Sequence, residues 1–584
     1  MNETHDFSIS SYTISIIIGL LFFFSMKYYA CPAATLASSG YFWLIFLTLL
    51  VASISQHLIA YVNGNFPLPI LYTATGILIL FITICNLTGS KVFNAKSYAN
   101  RITITDGVWT DDMTNIESFN DSDIIDTIAL MDSETAKTKG ETALSSLSNV
   151  VSRYELGDFT QINYNGIPMK VAPLQYASFW KYMKFGSDGI SGYVLFNPVN
   201  GDTKYVELDT PFLYSTNAYF SRNLRRHLRG QYPDKIFGNS YFELMDGSKQ
   251  DVYWVTATYR PTVSLWGGTV IDGAIVTNAQ TGESDFYDVN NIPDWVDVVF
   301  NGDYICKLYN DYGLFSGGFW NSQFSQTNCT ECTDDYGYIT KDNDIWVYTG
   351  ITSVVNDSSN IGLLMANERT GEVKYYEVGG ADEHSAMAAA RGEISNYGYA
   401  ASFPSVISIH DTPTYIMVLK DANNIVKKYS LVNLEDYSKI VIGDTKEEAF
   451  NKYLVKMGLV DNSPEEEYQT NTSESPNETL AIENKENDKN IVGIEKQYSV
   501  TITDIIYAVN NGQTYIYIKT DDNMIFKSEF NESLLFLNSN DKVVLNVLID
   551  ENTENSPIID ILEIYNVNPG ESHETIPETE NTNS

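Results

Sequence analysis

Three apolar runs lie within the first ninety residues, about Tyr12 to Tyr29, Tyr41 to Tyr61 and Leu68 to Cys85. Each is close to the ~20 residues that a helix rising 1.5 Å per residue needs to cross a hydrocarbon core of about 30 Å. A backbone in lipid must satisfy its own N–H and C=O groups, so each run reads as a spanning helix. The residues ahead of the first run include Glu3, His5 and Asp6 and no Lys or Arg, which is not the basic start of a cleaved leader. Residues 1–90 therefore read as a three-helix transmembrane anchor, with the bilayer as its partner. The runs carry almost no charge, so a polar transport pathway through them is not expected.

Three crossings put the N-terminus and the long polar region on opposite faces of the cell membrane. Lys27, Lys91, Lys96 and Arg101 fall on the side of the polar region, which by the positive-inside tendency is cytoplasmic. Its Tyr-, Asn- and Thr-rich composition points the other way, and the extracytoplasmic placement is the expectation adopted here, with orientation open. The chain holds 36 basic against 74 acidic residues, a formal net charge of -38. That balance excludes a nucleic-acid groove, which needs dense Lys and Arg facing phosphates.

In the polar region one pattern recurs. A glycine is followed five places later by Asn and nine places later by a second glycine: Gly192, Asn197, Gly201; Gly273, Asn278, Gly282; Gly362, Asn367, Gly371. An apolar run, an Asn/Gly turn and an aromatic or branched run make a β-hairpin, and the turn glycine adopts positive φ without a Cβ penalty. A related pattern starts at Thr414 and again at Thr514. Helical spacing is legible in 133–154, 382–393 and 446–457, the last ended by Gly458. The expected fold is α+β: membrane helices, then small α+β modules in tandem over 91–260, 261–350 and 351–460. An acidic flexible linker follows at 461–490. Five short β-rich runs in 491–566 fit a small barrel, OB-like or SH3-like, ahead of a disordered acidic tail at 567–584.

The hairpins with their neighbouring helices resemble the PepSY group of small α+β modules. From about Tyr98 to Met457, including RNLRRHLRGQYPDKIF, DGAIVTNAQTGES, VYTGITSV and ASFPSVISIHDTPTYIMVLKDA, the chain also resembles a family of membrane-anchored proteins of Gram-positive bacteria. The resemblance implies an envelope role and transfers no catalytic residue. PepSY modules bind or inhibit peptidases in some proteins, which makes an accessory or inhibitory subunit the alternative to a scaffold.

Candidate chemistry is sparse. Cys329 and Cys332 have CxxC spacing, with Cys306 as a third thiol; a disulfide, a metal site and free thiols are the open readings. Arg222, Arg225, Arg226 and Arg229 share a helix face while Leu224 and Leu228 point inward. That face is either a docking patch for an acidic partner or an internal ion-pair seam, and the seam is preferred. There is no phosphate-binding GxxxxGK[ST], no HExxH and no GxSxG. No catalytic residue, cofactor or metal ligand is assigned. The expected function is a noncatalytic envelope protein that scaffolds or binds another protein; sensing or transport support is a further alternative.

Overall fold

The computed structural model describes residues 2–64, 69–117, 128–460, 494–510, 513–521, 524–529, 542–549 and 559–566. The expected linker at 461–490 and tail at 567–584 lie outside them. The chain forms two compact units, 1–465 and 466–584.

The N-terminal helices are α1 (Asn2–Ala30), α2 (Ser39–Val62) and α3 (Ile70–Thr88). Tyr12–Ala30, Ser39–Val62 and Ile70–Thr88 are long and apolar enough to cross a membrane, and the protein is a membrane protein with several N-terminal spans. A short helix, α4 (Lys91–Ala99), leads into the polar body, followed by two short strands, β1 (Thr105–Asp106) and β2 (Asn115–Ile116).

Four antiparallel meanders then follow in chain order. The first holds β3 (Tyr154–Leu156), β4 (Thr160–Tyr164), β5 (Ile167–Tyr176), β6 (Ile190–Phe196) and β7 (Thr203–Phe212). The second holds β8 (Ile236–Leu244), β9 (Val252–Val263), β10 (Gly267–Asn278) and β11 (Ser284–Asp288). The third comprises β12 (Thr330–Cys332), β13 (Gly337–Lys341), β14 (Asp344–Ser353), β15 (Asn356–Asn367) and β16 (Val373–Tyr376). The fourth comprises β17 (Ala400–Ala401), β18 (Ser405–Ile409), β19 (Thr412–Lys420), β20 (Val426–Asn433) and β21 (Ile440–Gly443).

The alternation of side chains along each strand decides how the sheets stack. In the second sheet Trp254 and Ile275 face the first sheet, while Val255, Ala257, Ala274 and Val276 face the third. Within the third sheet Val347, Leu364 and Ala366 face the second, and Trp346, Tyr348, Leu363 and Met365 face the fourth. Both faces of these sheets are buried, so their strands read as nearly continuous apolar runs. Helices Leu224–Gln231, Gly302–Phe315 and Glu383–Glu393 wedge between successive sheets through Leu228, Leu308 and Ala386. The helix Ser133–Ser145 closes the circuit: its Ala136 packs with Phe196 of the first sheet and Val426 of the fourth. The result is a propeller-like ring of four sheets, with β4 against β8 and β14, and β13 against β18, near its centre.

The recurring turn has one construction. Asn197, Asn278 and Asn367 accept, through Oδ1, the backbone N–H two residues on, each at 2.9 Å. Gly201, Gly282 and Gly371 sit at φ of 80°, 81° and 74°. The residue after each Asn offers its carbonyl to two successive N–H groups of the preceding linker: Leu130 and Met131 on Pro198, Leu213 and Tyr214 on Ala279, Val299 and Phe300 on Glu368. A fourth site follows the same logic, with Ala381 N–H on the Leu434 carbonyl beside Asn433. The leading glycines have a packing cause: a Cβ at Gly192, Gly273 or Gly362 would collide with Tyr205, Phe286 or Tyr375 of the facing strand. Asn367 also donates to Asp344 at 2.7 Å and is buried. Asn367→Ala is expected to cost about 2 kcal/mol of stability by stranding those groups, measured as thermal unfolding of the full chain in nanodiscs.

The expectation of separate modules is corrected. The polar body is not a file of independent tandem modules: 1–465 is one compact unit, its sheets share cores, β1 adds in parallel to β16, and β2 adds in parallel to β18. The C-terminal unit does form a small closed barrel of five strands. The C-terminal strands β22 (Ile494–Asn510), β23 (Gln513–Thr520), β24 (Ile525–Glu529), β25 (Lys542–Ile549) and β26 (Ile559–Asn566) form two ladders that share β22. Their other junction, β24 with β26, consists of only two parallel residue pairs, Phe526 with Ile559 and Lys527 with Asp560.

Candidate functional site

Strands β4, β5, β8, β13 and β18 carry polar residues toward the ring's centre, and adjoining cavities open there. One of about 310 Å³ is lined by Gln161, Lys170, Tyr336, Tyr338 and Ser405, among others. Another of about 280 Å³ shares Gln161, Tyr336 and Tyr338 and adds Tyr241, Asp303 and Glu368. All four sheets contribute to these walls, so neither cavity exists until the ring is assembled.

Glu368 is the outlier of the repeated turn. The equivalent positions hold the apolar residues Pro198, Ala279 and Leu434, whereas Glu368 is 1% exposed. Its Oε1 has no hydrogen-bond partner among the described residues. Burial raises its carboxyl well above the usual carboxylate range. An unpartnered buried acceptor costs about 1–3 kcal/mol, and such a group calls for a functional account. Lys170, also buried, donates to Ser133 Oγ at 3.2 Å and lies 5.7 Å from the Tyr338 ring. Burial pulls its ammonium down to about 8, against the pull of Asp132 and Glu368. Tyr336 donates to Asp303 at 3.2 Å.

A polar seam holds the adjacent strand ends in place. Glu243 on β8 accepts from the N–H groups of Asp297 and Val298 at 2.8 and 3.0 Å, and Asp297 accepts from Asn163 N–H on β4 at 3.0 Å. Burial pushes Glu243 up to about 8, and burial with the nearby Glu243 pushes Asp297 well up.

The three polar-region cysteines divide differently from their spacing. Cys332 on β12 neighbours Cys306 on the helix Gly302–Phe315 in the same apolar core, and its thiol is raised by burial and then by hydrogen bonding with Cys306. Cys329 turns away, with Sγ 3.7 Å from the Leu314 carbonyl and 3.4 Å from Asn321 Nδ2. The chain is extended from Thr330 to Cys332, so residues three apart point to opposite faces and the CxxC pair does not converge. All five thiols are free, and among the described residues no cluster of His, Cys, Asp or Glu is arranged to hold a metal.

The arginines lie on the helix Leu224–Gln231 and just before it, but the partners of Arg222, Arg226 and Arg229 are main-chain carbonyls rather than acids. Arg226 Nε donates to Tyr28 O at 3.3 Å and Arg229 Nε to Cys31 O at 3.0 Å, at the C-terminal end of α1. Arg229 also serves Tyr232, Pro233 and Lys235 and lies 4.0 Å from the Phe237 ring. Arg222 donates to the Gly186 carbonyl. The group is thus largely a junction between membrane anchor and body.

Glu368, Lys170, Glu243 and Asp297 escaped the sequence reading. The one available signal was a charged residue beside Asn367 where the other turns place Pro198, Ala279 and Leu434.

No family model matches the chain, and no curated protein matches it. A solved structure of a B. megaterium levansucrase variant matches 80% of this chain and 99% of its own at 8% identity, with a TM-score of 0.18. That likeness is too low to carry fold or activity across.

Proposed function

We propose that this chain is a membrane-anchored, noncatalytic binding protein of the cell envelope, whose ring of sheets receives a peptide segment of a protein partner at the inner cavities. The observation that carries this reading is Glu368, a buried carboxyl with an unpartnered oxygen in a cavity that adjoins Lys170. Acceptor and donor together suit a backbone N–H and C=O, and Tyr241, Tyr336 and Tyr338 supply flat walls for side chains. The extracytoplasmic placement belongs to the same proposal. It is supported by the Tyr-, Asn- and Thr-rich composition of the polar region.

The test is selection from a random peptide library on the full chain in nanodiscs, followed by fluorescence anisotropy of the selected peptides. Glu368→Leu and Lys170→Met are each expected to weaken binding about tenfold or more, equivalent to ~1.4 kcal/mol. Selected peptides that bind both variants as tightly as the parent would overturn the assignment of this cavity.

A further inference from the structure

The body meets the anchor along one face, and that face carries more apolar surface than the anchor covers. At its middle, Trp266 donates to Leu36 O at 2.9 Å and packs against Phe42 and Phe81 at 5.3 and 5.9 Å. Thr88 meets Ser264 at 3.1 Å. These contacts set the face at the ends of α1, α2 and α3, at the boundary between hydrocarbon and water.

To one side of this junction lies the helix Phe179–Phe185. Trp180 and Met183 are 77% and 56% exposed, and Lys181 and Lys184 alternate with them. Phe220 joins the group at 6.3 Å from Phe179 and 6.1 Å from Tyr182. Phe220 is 49% exposed, and its φ of 52° is a costly conformation for a bulky residue. Its carbonyl accepts from Arg226, whose guanidinium lies 4.8 Å from the Tyr28 ring of α1. On the other side Trp320 and Phe324 stack at 5.8 Å and are 64% and 79% exposed. They adjoin Phe319, which packs with Phe315 onto Ala95 and Ala99 of α4. Exposed tryptophan and phenylalanine beside lysine, near the ends of spanning helices, is the composition of an interfacial belt.

We propose that the body itself rests on the bilayer. Trp180, Met183 and Phe220 on one flank and Trp320 and Phe324 on the other enter the headgroup layer, and Lys181 and Lys184 meet anionic lipid phosphates. The occupant is assigned by continuity: the same face already holds the ends of the three spanning helices, so a bilayer that contains them continues beneath both flanks. The net charge of the whole chain does not oppose this, because screening confines each charge to about 10 Å and the nearest helix carries Lys181 and Lys184. Two aromatic flanks astride a central anchor restrict tilting of the ring on the membrane.

Hydroxyl-radical footprinting of the full chain tests this in nanodiscs of phosphatidylcholine with phosphatidylglycerol. The reference residues are Tyr397 and Tyr437, which are 60% and 57% exposed and lie on the fourth sheet's side of the body. After correction for intrinsic reactivity, Trp180 and Phe324 are expected to label about fivefold more slowly than the references, as groups shielded by lipid do. Lys181→Glu with Lys184→Glu is expected to restore labelling at Trp180 while leaving Phe324 protected. Labelling of Trp180 and Phe324 at the reference rate would overturn the proposal, as would a charge-reversal variant whose Trp180 labels no faster than the parent's.

Discussion

Asp311→Ala is expected to destabilise the junction between anchor and body by about 3–5 kcal/mol, the cost of stranding a buried cation. Asp311 is 3% exposed and receives Lys91 on one oxygen at 2.6 Å and Arg101 on the other. The two cations differ in their alternatives. The Lys91 side chain is 45% exposed and turns to water when its partner is removed, whereas that of Arg101 is 4% exposed and retains the Thr269 carbonyl, at 2.9 Å, the Tyr98 carbonyl and the Tyr98 ring, at 5.0 Å. Thermal unfolding of the full chain in nanodiscs reads the loss. Pairing the substitution with Arg101→Met is expected to recover part of it, because the stranded charge is then gone. An Asp311→Ala variant that unfolds with the parent would show that Arg101 is not held by this pair.

Glu243→Gln is expected to flatten the dependence of stability on pH. In the folded chain burial holds the proton on Glu243 up to about 8, whereas an unfolded glutamate releases it near 4.5. The folded state therefore binds the extra proton, so the contribution is fully present below the unfolded value and is lost as pH rises through about 8. The slope is about 1.4 kcal/mol per pH unit for one proton. Gln at this position no longer titrates, so the difference in stability between parent and variant shifts in the variant's favour from pH 5 to pH 8.5. At pH 5 the variant is the less stable, since its amide NH₂ faces Asp297 and Val298 N–H groups that need an acceptor. Parallel unfolding curves for the two proteins across that range would contradict the burial of this carboxyl.

The hairpins show how far local pattern reaches. Asn and Gly at fixed offsets specify the turn because the Asn side chain closes it and the Gly backbone adopts positive φ, and both causes lie within a few residues. The fourth turn, at Asn433, lacks the following glycine, so its membership rests on the Leu434 carbonyl receiving Ala381 N–H, a contact between distant segments. Helix ends were similarly local: Thr445 caps one end of Lys446–Met457 and Gly458, at φ 71°, the other. The pairing of Cys306 with Cys332 was not local, since it depends on a helix packing against the third sheet. The arginine group was legible as a charged helix face, but its use was not, because its acceptors are carbonyls about 200 residues earlier in the chain.

By itself the sequence determined the three membrane-spanning helices, the recurring hairpins and the polar character of everything after them. Length, hydropathy and turn chemistry are properties of short segments, and short segments decide them. Only the tertiary structure decided that the sheets stack in a ring, that Glu368 and Lys170 line adjoining cavities, and that Asp311 pairs with both Lys91 and Arg101. A strand with both faces apolar states that it is buried, not which neighbours bury it. A charge states its sign and leaves its partner to the fold.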